Sequence, residues 1–174
     1  LYAGTAAGEM VIGANANLPE DFDPRTRPWY KKARAQQNLI WTDVFTDAGT
    51  GKQIITVAVP IINNGQFKGV IAGDINLTSL NQEIASKSIG EHGYAYMINS
   101  EGQFIAHPDQ QLVQEKFNAN QLFDVSKVFA TEQGSMDYDF EGEHKVASYV
   151  KVERINSMIF AQIPAREFHA AKER

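Results

Sequence analysis

The chain has 174 residues, of which 43% are apolar, with 16 basic against 21 acidic residues and no cysteine. This composition allows one ordinary domain or two small ones, each with a buried core, and argues against intrinsic disorder. It excludes disulfides, cysteine-ligated metals and a thiol nucleophile. A net charge of −5 argues against nucleic acid as a partner.

Strand–turn–strand patterns recur along the chain. Residues 1–5 are predicted to form a strand, and the sequence begins inside this pattern. Gly or Asn in each gap supplies the positive φ of a tight turn, so we predict hairpins around residues 63–66, 99–102 and 141–144. Since the chain opens inside a pattern and has no start Met, we expect an excised fragment. No segment approaches the roughly 20 apolar residues of a membrane span.

Helices are predicted at four places. One begins at Pro28, and a second begins near Ser79, where Ser79 and Gln82 fit a capping box. The third covers residues 110–117, and the fourth runs from Pro164 to the C-terminus. Antiparallel hairpins with few helices predict an α+β fold.

The chain is predicted to contain two similar units. The hairpin string Asn-Gly-Gln-Phe at residues 64–67 is echoed at 101–104, which indicates related units. All of the net negative charge falls after residue 78, which suggests different roles for the two parts. We expect a first unit at 1–78, a helical connector at 79–91 and a second unit at 92–174.

Residues 21–30 form the most unusual segment, with two Pro, two Arg, two Asp and three aromatics. One interpretation is a rigid turn that enters a helix; the other is a ligand wall, in which an Arg fork binds a carboxylate. Asp74 lies on a strand face with Ala72. If that face is inward, its carboxylate needs a cation nearby, either Arg27 or a ligand ammonium. Asp47 is placed to assist.

The string Asp23 to Ala33, with Arg27, Pro28, Trp29 and Tyr30 inside it, resembles the signature of double Cache sensory domains. Further matching strings follow in the family's order at residues 41–48, 50–51, 56–60, 69–75, 93–99 and 106–109. The similarity covers nearly the whole chain, especially to the amino-acid-sensing extracytoplasmic domains of methyl-accepting chemotaxis proteins. It implies two PAS-like units along a long N-terminal helix that is missing from this fragment.

The resemblance implies a ligand site in the first unit. Residues matching Arg27 and Trp29 hold the ligand carboxylate, those matching Tyr30 and Asp74 hold its ammonium, and the match to Asp47 adds an acceptor. Phe22 and Phe45 stand where the relatives have Tyr, so one or two hydrogen bonds to the ligand are lost. A taurine-like sulfonate or a simple amine is therefore an alternative to an amino acid.

The function implied is sensing without chemistry, in the periplasmic part of an inner-membrane receptor that is a homodimer. No cofactor is expected, and no metal, because no His pair has helical spacing. The alternatives are the sensor of a histidine kinase or diguanylate cyclase, a hydrolase using Asp47 and Asp74, and a module without ligand. The second unit is expected to be empty, with Tyr94, Tyr96 and Phe104 as fillers.

Overall fold

The computed structural model describes residues 1–13, 18–46 and 50–172. The chain divides into unit 1, Leu1–Asn76, and unit 2, Leu77–Arg174. Each unit contains one antiparallel sheet with a few short helices. The predicted α+β class is therefore confirmed.

Unit 1 is built around a long central hairpin. Its elements are β1 (Tyr2–Thr5), β2 (Met10–Ile12), a 3₁₀ turn (Pro24–Thr26), α1 (Pro28–Gln36), β3 (Ile40–Trp41), β4 (Phe45–Thr46), β5 (Gln53–Asn63) and β6 (Gln66–Asn76). The strand order is β2-β1-β6-β5-β3, with β4 also paired to β5. Asn64 and Gly65 link β5 to β6 with φ of 50° and 75°, as the two-residue turn of a tight hairpin requires.

Helix α1 covers one face of this sheet. Pro28 occupies its first turn, as predicted, and Gln37 ends it in the left-handed conformation with its N–H bonded to the Ala33 carbonyl. The buried core consists of Trp29, Tyr30, Ala33, Ile40, Ala58, Val70 and Ala72. Burying each large side chain contributes roughly 1.5–3 kcal/mol, and the three alanines allow the helix to approach the sheet closely.

Unit 2 is a second antiparallel sheet, ordered β10-β11-β12-β8-β7, with β9 also paired to β8. Its helices are α2 (Thr78–Ala85), α3 (Gln110–Gln114), α4 (Val125–Phe129) and α5 (Ala165–Lys172), with 3₁₀ turns at Ala119–Gln121 and Glu153–Ile155. Its strands are β7 (Ser88–Ile89), β8 (Gly93–Asn99), β9 (Phe104–Ala106), β10 (Gln133–Phe140), β11 (Glu143–Val152) and β12 (Ser157–Pro164). Its core is larger, with Tyr96, Ile98, Phe104, Tyr138, Met158 and Phe160 among its members.

The segment expected to connect the units belongs to unit 2. Helix α2 packs against β8 and β9, and β7 lies within residues 79–91. The predicted capping box is wrong, because the residue before the helix is Leu77 and no side chain caps it. Within the described ranges, no helix is both long and apolar enough to cross a membrane.

Candidate ligand-binding site

A cavity of about 420 Å³ opens in unit 1 beside the start of α1. Its lining consists of Arg27, Pro28, Trp29, Lys32, Thr42, Asp43 and Phe45. Three of the predicted site residues therefore meet in one cavity. Apolar surface from Trp29 and Phe45 surrounds the charged groups, a composition typical of small-molecule sites.

Local turn chemistry places Arg27 at the cavity. The Asp23 carboxylate accepts a hydrogen bond from the Arg25 backbone N–H at 2.9 Å and pairs with its guanidinium at 2.8 Å. These bonds hold the pKa of Asp23 below its usual value. Arg25 is thus used to build the turn, whereas exposed Arg27 forms no ion pair within the described residues, and its guanidinium carbon lies 5.7 Å from the centre of the Phe22 ring. Its fork is available to an anion.

Asp74 is held by two hydroxyl groups. Its Oδ1 accepts hydrogen bonds from Tyr2 Oη at 2.7 Å and from Thr56 Oγ1 at 2.8 Å. Thr56 is fully buried, and its backbone N–H donates to Thr42 Oγ1 at 2.9 Å. These contacts fix the orientation of the Asp74 carboxylate through Oδ1. The other oxygen, Oδ2, has no hydrogen-bond partner among the described residues. Asp74 itself is exposed, so the condition on which a nearby cation was expected, a carboxylate buried by the sheet, is not met. A contact of Asp74 with a ligand ammonium stays a prediction.

Tyr2 connects the two halves of the site. Its hydroxyl bonds Asp74, and its ring packs edge-on against Trp29 with 5.1 Å between centroids. Burial, and then the hydrogen bond to Asp74, raise its pKa well above the usual value, so the hydroxyl stays a donor. Asp74 does not line the cavity at Arg27. Tyr2, on the sheet face that α1 covers, contacts both Asp74 and Trp29 of the cavity lining.

Tyr30 is placed differently from the expectation. It is buried, its hydroxyl donates to the Thr5 carbonyl at 3.3 Å, and its ring packs edge-on to Phe67. Thr5 pairs with Gly69, five residues before Asp74 on β6 and therefore about 16 Å away along the strand. The structure does not bring the Tyr30 hydroxyl to Asp74, so a contact of both with one ammonium stays a prediction without geometric support. Asp47 lies outside the described residues.

Sequence reasoning missed several residues of the site. Lys32 donates to the Trp41 carbonyl at 2.7 Å, and Thr42 and Asp43 line the cavity beside it. Tyr2 and Thr56 were also missed, because their roles depend on strand register. Their only sequence signal is alternation on β1 and β5, which places each on the face that carries Asp74.

One group of side chains in unit 2 has metal-ligand chemistry. Ligand atoms of Glu91, His92 and Glu167 lie within 4.8 Å of one another. His92 Nδ1 and Glu167 Oε1 are already hydrogen-bonded at 2.6 Å, and the Glu91 backbone N–H donates to Glu167 Oε2 at 3.1 Å. These hydrogen bonds explain why the three side chains lie together, because they attach α5 to the segment before β8.

Comparison with known proteins assigns the family. The family model dCache_1, a Cache domain, matches residues 2–171, and the chain belongs to this family. The resemblance seen in the sequence is therefore confirmed. A methyl-accepting chemotaxis protein of Pseudomonas syringae pv. tomato, PscA, is 33% identical over 154 residues, which are 88% of this chain and 24% of that protein. The chain thus spans about a quarter of such relatives.

Solved structures give the same result. The ligand-binding domain of the Pseudomonas aeruginosa PAO1 amino acid chemoreceptor PctC, in complex with GABA, is 31% identical with a TM-score of 0.75. The alignment covers 93% of this chain and 72% of that one. The ligand-binding domain of Mlp24 with asparagine is 26% identical with a TM-score of 0.80, covering 100% of this chain and 72% of that one.

Proposed function

We propose that unit 1 binds a small amino acid, and that the chain is the extracytoplasmic sensing domain of a chemoreceptor. One observation carries the proposal. Among the described residues, Arg27 has no ion pair and Asp74 Oδ2 has no hydrogen-bond partner, and the two side chains lie on the same side of one sheet. Tyr2 contacts both Asp74 and Trp29, which lines the cavity. Opposite charges at two ends of an apolar surface match a zwitterion.

Each part of an amino acid has a matching group. The ligand carboxylate would accept two parallel N–H bonds from Arg27. The ammonium would donate to Asp74 Oδ2, which Tyr2 and Thr56 orient before the ligand arrives. The carbon skeleton would pack on Trp29. Because the site holds its ligand by charge and contact, we propose binding without turnover, and incubation followed by product analysis tests this.

The solved relatives support a ligand with both charges. GABA in PctC, asparagine in Mlp24 and L-leucine in CtaA of Pseudomonas fluorescens each carry a carboxylate and an ammonium group. Their carbon skeletons differ, and GABA has no side chain at all, which indicates that the two charged groups are the shared element.

Phe22 and Phe45 favour a second candidate, a taurine-like sulfonate or a simple amine. Phe45 lines the cavity and is 42% exposed, and Phe22 lies under the Arg27 guanidinium. Neither side chain offers a hydrogen bond, so the anionic group of the ligand depends on Arg27 and the other polar groups of the cavity lining, such as Lys32. A sulfonate also accepts bonds from an Arg fork.

The proposal for the whole receptor is a homodimer anchored in the inner membrane, with this domain in the periplasm. The relatives named as methyl-accepting chemotaxis proteins favour a chemotaxis output over a histidine kinase or diguanylate cyclase. Ligand binding would shift the balance between two receptor states by its differential affinity for them.

Calorimetric titration with amino acids, taurine and simple amines tests the proposal, with Asp74→Asn as the variant. Asp74 is exposed, so the loss of one charge-assisted bond is expected to cost about 1.5–3 kcal/mol, a weakening of roughly ten- to 150-fold. Glu9→Gln, which removes an exposed carboxylate on the β1–β2 turn, is the matched control and should bind like the parent. If Asp74→Asn also binds like the parent, the ammonium assignment is wrong.

A further inference from the structure

Three polar side chains are buried at the inner face of the unit 2 sheet. They are Gln162, His107 and Lys145, and of these Lys145 is paired with Glu143. This face packs under α4 with an aromatic core that includes Tyr96, Phe104 and Phe160. Within it, Gln162 is 0% exposed and His107 is 4% exposed. The sequence predicts apolar fillers at this face, so Gln162 and His107 need a physical reason.

Gln162 lies in the middle of the sheet with both amide atoms unpaired. On β12 it is directly opposite Tyr94 of β8 and Ala147 of β11. Neither Nε2 nor Oε1 has a hydrogen-bond partner among the described residues of unit 2. The methyl group of Ala147 leaves more room beside the amide than a larger side chain would. A buried amide without partners is costly, and a bound molecule that pairs with it removes the cost.

His107 offers a hydrogen-bond donor beside the same tyrosine. Its ring lies edge-on to Tyr94, with 4.8 Å between centroids, and is stacked on Phe104 at 5.1 Å. Nδ1 accepts from the Asp109 backbone N–H at 2.9 Å, so the proton of the neutral ring is on Nε2. That Nε2 is buried without a partner in the described part of the chain. Burial lowers the pKa of His107 to about 4, which keeps the ring neutral.

The charges around Tyr94 select the class of ligand. Lys145, 6.0 Å from the Tyr94 ring centre, is already paired with Glu143. Burial is the main cause that raises the pKa of Tyr94, so its hydroxyl stays neutral. Because Lys145 is already paired, an anion would find no free cation beside Tyr94 among the described residues. The N–H donors of Gln162 and His107 disfavour a cation. An uncharged molecule remains.

We propose that unit 2 binds a small uncharged carboxamide between Gln162, His107 and Tyr94. The Gln162 amide donates to the ligand carbonyl and accepts from the ligand N–H, which is the complement of a primary amide. The His107 Nε2–H donates to the second lone pair of the same carbonyl. This site is separate from that of unit 1 and does not depend on its function.

Side-chain resonances of the ¹⁵N-labelled chain test the proposal without any variant. We would follow the Gln162 NH₂ and His107 Nε2–H signals during titration with acetamide, sodium acetate and N,N-dimethylacetamide. Acetamide should shift both signals saturably. Acetate, which is charged, and dimethylacetamide, which lacks an N–H, should bind at least tenfold more weakly. No saturable shift with acetamide, or equal binding of acetate, overturns the proposal.

A pair of Gln→Leu variants separates a ligand site from a site for water only. Gln162→Leu should weaken acetamide binding at least tenfold, as followed at His107, whereas Gln121→Leu, at an exposed position, should leave it unchanged. If Gln162→Leu folds with higher stability and an unchanged response, the amide serves ordered water and the proposal fails. If it does not fold, the three-probe comparison on the parent decides.

Discussion

The stability of unit 2 should depend on pH through His107, and His107→Phe should remove that dependence. The imidazole is 4% exposed and stacked on Phe104, so a phenyl ring of similar size fits its aromatic surroundings. In the unfolded chain the same side chain is hydrated and titrates at its ordinary value. Folding therefore requires a neutral imidazole, and acid opposes folding.

The magnitude follows from the two pKa values. Burial lowers the pKa of His107 from 6.5 to about 4. Between these values the unfolded state binds more protons, so stability falls as the pH falls through this window and is constant above it. At about 1.4 kcal/mol per pH unit, full acidification lowers the free energy of unfolding by about 3.5 kcal/mol through this side chain.

Urea unfolding between about pH 7 and pH 4 measures the effect. Both tryptophans, Trp29 and Trp41, lie in unit 1, so their fluorescence follows that unit, whereas circular dichroism follows both. A transition that is seen by circular dichroism but not by tryptophan fluorescence is therefore the unfolding of unit 2. Carboxylates also titrate in this range, so the quantity to compare is the difference between parent and variant.

The control is His144→Gln. His144 is exposed, and its hydrogen bond to Asp139 raises its pKa, so His144 stabilises the fold in acid and loses that contribution as the pH rises. Its removal should make the acid loss steeper, opposite to His107→Phe. If His107→Phe shows the parent's acid dependence, the imidazole is not held neutral in the fold and the reasoning is refuted.

Three further outcomes are expected. Tyr2→Phe should weaken ligand binding roughly three- to tenfold by calorimetry, because Asp74 loses one orienting bond; an unchanged affinity would show that Thr56 alone suffices. Phe45→Tyr should leave affinity unchanged or raise it, and a tenfold loss would place the ligand against that ring. Gly69→Ala should lower the urea midpoint of unit 1 by fluorescence, because its φ is 155° and a Cβ would meet the Gly4 carbonyl; a parent-like midpoint contradicts this.

Much of the fold could be predicted because its signals are local. The turn at Asn64–Gly65 and the helix start at Pro28 depend only on backbone preferences of neighbouring residues. Strand β12 was missed, since a buried central strand has no clear alternation and its apolar run is ambiguous. Helix α4 is only five residues long, which is too short for periodicity to appear.

The site was predictable only in part, because some of its contacts depend on the register between strands. Arg27 and Trp29 could be found from one unusual segment. The partner of Asp74 could not be found in this way. Counting back from the hairpin turn alone would pair Asp74 with Ile55, but the register shifts at Ile61 and Ile62, so Asp74 pairs with Thr56 instead. Tyr2 reaches Asp74 through a strand 72 residues away, a contact that no local pattern encodes.

The alanine-rich core of unit 1 sets how strongly a ligand can act on it. Three of its seven buried core residues are alanines, whereas unit 2 has a core of large aromatic and aliphatic side chains. A unit of this length has roughly 4–11 kcal/mol of stability. A ligand at 100 times its dissociation constant adds about 2.7 kcal/mol. A bound ligand would then suppress a large share of the local opening of unit 1. The rigidity of unit 1, and not only its average conformation, would therefore change with ligand binding.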